Sequence, residues 1–443
     1  MENSENIPNS CDVVVIGGGP AGSHAATLLA QRGYEVVLLE KARHPRPMVG
    51  ESLIPHFWKF MDMSGATPKI EAAGFLPKAG GITVWNGRIH QFSFSAFGYD
   101  RPALHVERDV FDHELLKHAA SQGAAVFEEV NVTGVDFSDE KPVVSYHSMQ
   151  DEARGAGQIQ CRYVIDASGN NTVLAKQFKS RKLVAGKRTF LGMWGYFTGG
   201  NYVGVDGSSY GPESVGKVPP VTFISSHDDG WAWHIQLRDK ISVGLIINTS
   251  NVKRMGKKEM ETYFLSTVQK IPYFKELLEP ATYVEDSMAF RPDYSFYSTQ
   301  PAGPNFGCIG DAGAFVDPIF SHGCQAAFYS ASVCAWAVEA SFRRPDRAEN
   351  YGRVLQKRLQ QHYGFSRSLA LGDYGGDGVD PALVIDLMKS MPLVELEMML
   401  VASDISNRST NFHEMAKQAG IMEADFVNGV MAGKASVLDT LHV

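Results

Sequence analysis

The apolar positions of this chain come in two textures, short β-branched runs that end on glycine and longer stretches whose apolar residues recur at helical spacing. Residues 12–16, Asp-Val-Val-Val-Ile, read as a strand buried on both faces and lead into Gly17-Gly18-Gly19-Pro20-Ala21-Gly22. The Ala- and Leu-rich residues 23–32 predict a helix that Gly33 stops, and 34–39 predict a second strand ending on Glu40. Far downstream, 305–309 predict another buried strand, followed by Gly310-Asp311, and 324–340, free of Gly and Pro, predict a helix. Between these ends lie an amphipathic segment at 53–63 and a hairpin of 82–85 and 88–94 across Asn86-Gly87. A helix running from His105-Val106-Glu107-Arg108 to about 122, a strand at 124–132, and a strand at 161–165 closed by Asp166-Ala167-Ser168-Gly169 follow. From 189 to 249, strand-length runs and turn signals such as Asp206-Gly207 and Asp229-Gly230 predict an inserted, mainly antiparallel sheet, with Trp231 and Trp233 on one face. Residues 252–278 and 347–371 read as helices, 372–381 as a Gly/Asp-rich break and 382–403 as a Leu/Met-rich amphipathic segment.

Two of these junctions carry chemistry. Strand, Gly-x-Gly-x-x-Gly, helix, strand, acid is the arrangement that cradles a dinucleotide: Gly17 permits the tight turn, Gly19 lets the backbone approach a pyrophosphate, Gly22 lets helix pack on strand, and Glu40 reaches a ribose hydroxyl. The stretch from Gly310 to Gly323 ends a strand in an acid and glycines and feeds a helix N-terminus, whose first N–H groups lack partners and so suit an anion or a polar cofactor. The loop Lys41-Ala42-Arg43-His44-Pro45-Arg46-Pro47 is basic and cannot continue a helix. Taken alone, Lys78 at the hairpin entry is a solvated charge, and paired tryptophans fill a core.

Composition narrows the partners. The chain has 443 residues, 44% of them apolar, and a formal net charge of −8, which disfavours nucleic acid and anionic membranes and leaves small-molecule chemistry. The five cysteines are scattered without a Cys-x-x-Cys pair, which favours a reducing compartment and disfavours a disulfide frame or a zinc site. The first ten residues are polar with Glu2 and Glu5, unlike a signal peptide, and no run is long and apolar enough to span a membrane, so a soluble cytoplasmic protein without a metal is expected.

The glycine fingerprint, Arg108, Asp166-Ala167-Ser168-Gly169 and Gly310-Asp311 together resemble the flavoprotein monooxygenases with the p-hydroxybenzoate hydroxylase fold. Three further places, Gly50-Glu51-Ser52, Lys78 in Phe75-x-x-Lys78-x-Gly80, and Phe315-x-x-Pro318-x-x-Ser321-x-Gly323, are similar to the flavin-dependent halogenases of the phenol and pyrrole branch. The resemblance covers roughly the first three quarters of the chain. It implies an α/β fold: a Rossmann-type FAD-binding domain (1–60, 100–185 and 285–345), an inserted antiparallel-sheet substrate domain (61–99 and 186–284) and a helical C-terminal region (346–443). It implies FAD, used as FADH2, held by Gly17, Gly19, Pro20, Ala21, Gly22, Glu40, Lys41, Arg46, Ser52, Arg108, Asp166, Gly310 and Asp311. Chloride or bromide would sit at Pro318, Ser321, His322 and Gly323, with Ser321 and backbone N–H groups as neutral donors. O2 and the reduced flavin would turn the halide into hypohalous acid, and Pro318 and Phe320 would wall the flavin off, so that the oxidant travels to Lys78. Lys78 and Ser321 are then the catalytic pair. Since no second nucleotide fingerprint is present, a separate flavin reductase is implied, with a small aromatic substrate, free or tethered to a carrier protein.

The chain departs from the pattern at three positions. Phe320 replaces the Glu of the tryptophan-halogenase branch, which disfavours an indole of that kind. Gln236 stands for Pro in Trp-x-Trp-x-Ile-Pro, and His322 for a small hydroxyl residue. The alternatives are a halogenase-like oxygenase or oxidase that uses no halide, and a non-catalytic FAD-binding sensor or scaffold.

Overall fold

The computed structural model describes residues 6–371 except 86, 150–154, 184–189, 250, 251, 253 and 254. The break expected at 372–381 and the segment at 382–403 lie outside the described residues, as does Asn86 of the expected hairpin turn.

The β-branched run at the N-terminus forms the strand Val13–Ile16, buried on both faces at the centre of a five-stranded parallel sheet. Its neighbours are Val36–Glu40 and Tyr163–Asp166, with Ala125–Glu128 and Phe306–Cys308 at the edges. The helix Pro20–Ala30 starts on a proline and ends before Gly33, whose φ of +83° only glycine adopts freely. It packs on the long helix Gly323–Arg343. Ala25, Ala26, Ala327, Ala331 and Ala335 are all in that core, and their small side chains let the backbones come close. The returning strand expected at 124–132 is broken at Glu129, at φ +60°, into Ala125–Glu128 and Val130–Asp136. This is a Rossmann-type α/β unit, and the carboxyl ends of its strands converge on one crevice.

The inserted sheet has eight strands and is antiparallel except where Gly80–Trp85 runs parallel to Val221–His227. Alternation along Gly230–Gln236 sends Ala232 toward a core with Phe264 and Phe274 of the helices Lys257–Val268 and Pro272–Leu278. Trp231, Trp233 and Ile235 face the other way, into a cluster with Trp194, Ile246 and Tyr294. Gly244, opposite Trp233, is required there, because a Cβ would lie 2.1 Å from the indole. The sheet continues past residue 284, since Ala289–Pro292 pairs with Phe190–Thr198.

The stretch before the long helix is more elaborate than a strand feeding a helix. A single 3-10 turn, Gly310–Ala312, and a short strand, Ala314–Phe315, intervene. C-terminal to the long helix, Ala348–Leu371 is helical as expected. All five cysteines are free thiols, and among the described residues no helix is long and apolar enough to cross a membrane.

Candidate active site

A cavity of about 540 Å³ follows the crevice from the first glycine turn to the Phe315–Gly323 segment. Gly17 sits at φ +107°, and a Cβ on Gly22 would lie 1.9 Å from the Gly17 carbonyl, so the turn closes only with glycine at both places. Gly19 exposes its backbone, and the nearest atom to a Cβ there would be the Arg46 guanidinium at 3.4 Å. Bare backbone facing a cation is a cradle for an anion. Glu40 is buried and accepts hydrogen bonds from the N–H groups of Gly18 (2.6 Å) and Ala42 (2.7 Å), which aims its carboxylate along the turn.

Two cations flank one buried acid beside this cradle. Arg108 donates to Asp112 through Nε at 2.8 Å and a terminal nitrogen at 3.1 Å, and Arg46 approaches the same carboxylate at 3.3 Å. Two guanidiniums against one carboxylate leave a positive surplus, suited to a diphosphate. Asp112 escaped the sequence reading, although Arg108 and Asp112 stand one helical turn apart and that spacing could have shown it.

Gly17, Gly19, Pro20, Ala21, Glu40, Lys41, Arg46, Ser52, Arg108, Gly310 and Asp311 all line the cavity. Gly22 packs behind the turn. Asp166 corrects an expectation: it is wholly buried and off the cavity surface, and its two oxygens accept from the N–H groups of Ser168 (3.0 Å) and Leu174 (2.7 Å). It braces its own turn, because each of its oxygens is held by a backbone N–H of that turn. Asp311, enclosed at the junction, is raised to about 6 by burial, with Arg108 and Arg291 opposing that rise.

A second cavity, about 350 Å³, lies across the Phe315–Gly323 segment and is lined by Phe92, Phe94, Phe97, Tyr99, His56 and Lys78 among others. The segment is the partition. Pro318 faces the first cavity only, Phe320 and His322 the second only, and Ile319, Ser321 and Gly323 face both. His322 stacks on His362 with ring centroids 4.9 Å apart. Ser321 holds φ +56°, a left-handed conformation costing a side-chain-bearing residue about 1–2 kcal/mol. Its hydroxyl donates to Ser52 Oγ at 2.8 Å, so in this structure its proton is not offered to a halide. Gly323 and Cys324, whose N–H groups open the helix, also line the first cavity.

Lys78 ends the strand Leu76–Lys78, is 2% exposed, and donates from Nζ to Ser52 Oγ at 2.8 Å and to the Leu53 carbonyl at 3.0 Å. Burial alone pulls its pKa from 10.5 down to about 7, so near neutral pH it exchanges between ammonium and amine. The Phe94 ring lies 5.2 Å from Nζ. His56 Nε2 meets the Tyr99 hydroxyl at 2.6 Å, and burial lowers this histidine to about 3, so it is neutral. Its place in the cavity depends on loops distant in sequence and left no signal there.

Asp317, at the foot of the partition, accepts from the Tyr294 hydroxyl at 2.8 Å and from the Ile319 N–H at 3.0 Å, yet burial raises it to about 7. An unfolded aspartate sheds its proton near 3.8, whereas the folded one keeps it until about 7, so stability is expected to fall as pH rises from about 4 to 7. Asp317→Asn should flatten that decline in melting temperature between pH 4 and 8, and an unchanged slope would place the proton elsewhere.

Residues 10–195 match the FAD binding domain family. A flavin-dependent halogenase of Armillaria mellea, armH3, is 33% identical over 76% of this chain and 69% of its own length. The chain belongs to the flavin-dependent halogenases. The glycine cradle and the twin arginines lie within the matched FAD-binding domain. A tryptophan 2-halogenase of Chondromyces crocatus is 35% identical over 75% of this chain, and the match spans 62% of that relative's length. The structure of the myxobacterial chondrochloren halogenase CndH superposes with a TM-score of 0.72 at 25% identity, covering 98% of this chain and 99% of that one. With this family relation, the architecture is the expected Rossmann-type FAD-binding domain of the p-hydroxybenzoate hydroxylase fold carrying an inserted sheet.

Proposed function

We propose that this halogenase-family chain uses FADH2, O2 and chloride or bromide to halogenate a small electron-rich aromatic of phenol or pyrrole type, with hypohalous acid passed to Lys78. The observation that carries the reading is a buried amine standing at the partition between a flavin-sized crevice and an aromatic-lined cavity. Bound reduced flavin supplies, with O2 and halide, the oxidised halogen.

The chain's own residues do the rest. The Phe315–Gly323 partition keeps an organic substrate off the flavin while leaving a way for a small neutral oxidant. Lys78 meets that oxidant on the far side, polarising it as an ammonium or taking the halogen as an amine. The carbon–halogen bond then forms as the ring's C–H bond breaks, and the released proton leaves with the oxidant's oxygen as water. Among the described residues lining the second cavity, Asp311 and Asp317 are the only carboxylates and Lys78 the only lysine or arginine. Among these described residues only Lys78 would pair a substrate carboxylate, which favours an uncharged ring over a free amino acid. This is the argument for a phenol or pyrrole despite a relative that bears the name of a tryptophan halogenase. A separate flavin reductase in the cytoplasm is the expected source of FADH2, and the substrate arrives free or on a carrier protein.

A halide-independent oxygenase is the second reading, favoured by the single fact that the Ser321 proton is committed to Ser52. Incubation with FADH2, O2, chloride or bromide, and a panel of phenols, pyrroles and indoles separates the two by product mass. One halogen for one hydrogen, only when halide is present, is expected. One added oxygen without halide would replace the first reading by the second.

A further inference from the structure

The polar side chains between the two cavities form one chain of hydrogen bonds, and its direction can be worked out from one end. His105 is fully buried, with Nδ1 3.0 Å from the carbonyl oxygen of Gln236, which can only accept. Burial, and next the nearby Lys78, hold the imidazole pKa well below its ordinary value, so the ring is neutral. Its single N–H proton sits on Nδ1, and Nε2 can only accept. The Thr222 hydroxyl, 2.9 Å from Nε2, therefore donates to it. With its proton spent, Thr222 Oγ1 must accept from Ser52, 2.8 Å away. Ser52 then has no proton left, and its oxygen accepts from both Lys78 Nζ and Ser321 Oγ, each at 2.8 Å.

Resting on the reading of Lys78 as the group that receives the oxidant, we propose that His105 is a positioning residue: its fixed tautomer, relayed by Thr222, makes Ser52 a pure acceptor that orients Lys78 and Ser321 at the partition. An amine on Lys78 has two hydrogens, and Ser52 Oγ and the Leu53 carbonyl take both. One valence of the nitrogen is left for the cavity, a lone pair in the amine and an N–H in the ammonium. A reversed chain, with Ser52 donating to Lys78, would instead tie up the lone pair.

The strand pairings explain how these residues meet. Leu76 pairs with His105 and Lys78 with Ala103, Ser52 bridges to His105, and Gly81 pairs with Thr222. The other titratable groups facing the chain are His234 beside His105, which burial lowers to about 4, and on the cavity side Asp311, Asp317, His56, His322 and Tyr99. Only burial moves Lys78 itself.

The test reads Lys78 directly. In lysine labelled with nitrogen-15, the Nζ resonance that vanishes in Lys78→Met is titrated with pH. An acceptor stabilises the ammonium, so His105→Leu and Thr222→Val should each lower the midpoint by about half a pH unit or more, and the double variant no further than either alone. His105→Gln, whose amide can donate to Gln236 and accept from Thr222, should restore it. Flavin affinity should be unchanged in His105→Leu, and turnover should fall without a matching rise in KM. An unmoved midpoint in a folded, flavin-binding His105→Leu or Thr222→Val overturns the proposal; the near-isosteric Thr222→Val keeps it open to refutation if His105→Leu does not fold. A moved midpoint with unchanged halogenation would leave the relay standing and remove Lys78 from the chemistry.

Discussion

Lys78→Met is expected to lower halogenation by roughly 10²–10⁴-fold, the range for loss of one positioned acid–base group, while FAD binds as before. Methionine nearly matches the lysine's length and leaves the strand pairing with Ala103 intact, so the loss reads the amine rather than the fold. The same variant carries a second signature. In the unfolded chain Lys78 holds its proton up to 10.5, whereas in the folded chain it gives it up at about 7. Between those values the unfolded state binds more protons, so this lysine makes stability rise with pH, and below about 7 its buried charge weighs fully against folding. That rise should be missing from melting curves of Lys78→Met. Halogenation within a few-fold of the unsubstituted chain would remove Lys78 from the mechanism.

Arg108→Met should lose both stability and cofactor. It leaves the fully buried Asp112 carboxylate with Arg46 at 3.3 Å as its remaining cation, a change expected to cost about 3 kcal/mol. Flavin affinity should drop at least about tenfold, since the positive surplus facing the diphosphate is gone. Replacing both members, as Arg108→Met with Asp112→Leu, separates the two effects. Thermal stability should return with the apolar pair and flavin affinity should not. Recovery of both would mean that Arg108 only supports the scaffold.

What the sequence reveals of this site depends on how local the physics is. The glycine cradle and Glu40 lie within one strand–turn–helix–strand unit, and backbone sterics dictate their residue types, so they are legible directly. Lys78 is legible only through resemblance, because nothing local distinguishes a buried lysine from a solvated one. Asp166 shows the opposite failure: strand, acid, glycine turn is also the signature of a carboxylate that braces its own turn, and only the neighbouring N–H groups tell the two apart. His105 and Thr222 are 117 positions apart and meet because Leu76–Lys78, paired with His105, runs on into Gly80–Trp85, paired with Thr222, which no spacing rule encodes. The alternation at Trp231 and Trp233 predicted their common face correctly, but not that both line the flavin crevice.

The partition also divides what the chain can change from what it must keep. Phe320 and His322 face the second cavity alone, Pro318 faces the first alone, and Ser321 is tied to Ser52 between them. Phe320 and His322 are also two of the three positions at which the sequence departs from the motifs it resembles. The segment is a turn, closed by the Ser321 N–H on the Pro318 carbonyl at 3.0 Å with Ser321 at φ +56°, and it carries the two linings on different residues. A substitution at Phe320 or His322 therefore reshapes the second cavity without changing a side chain that lines the first.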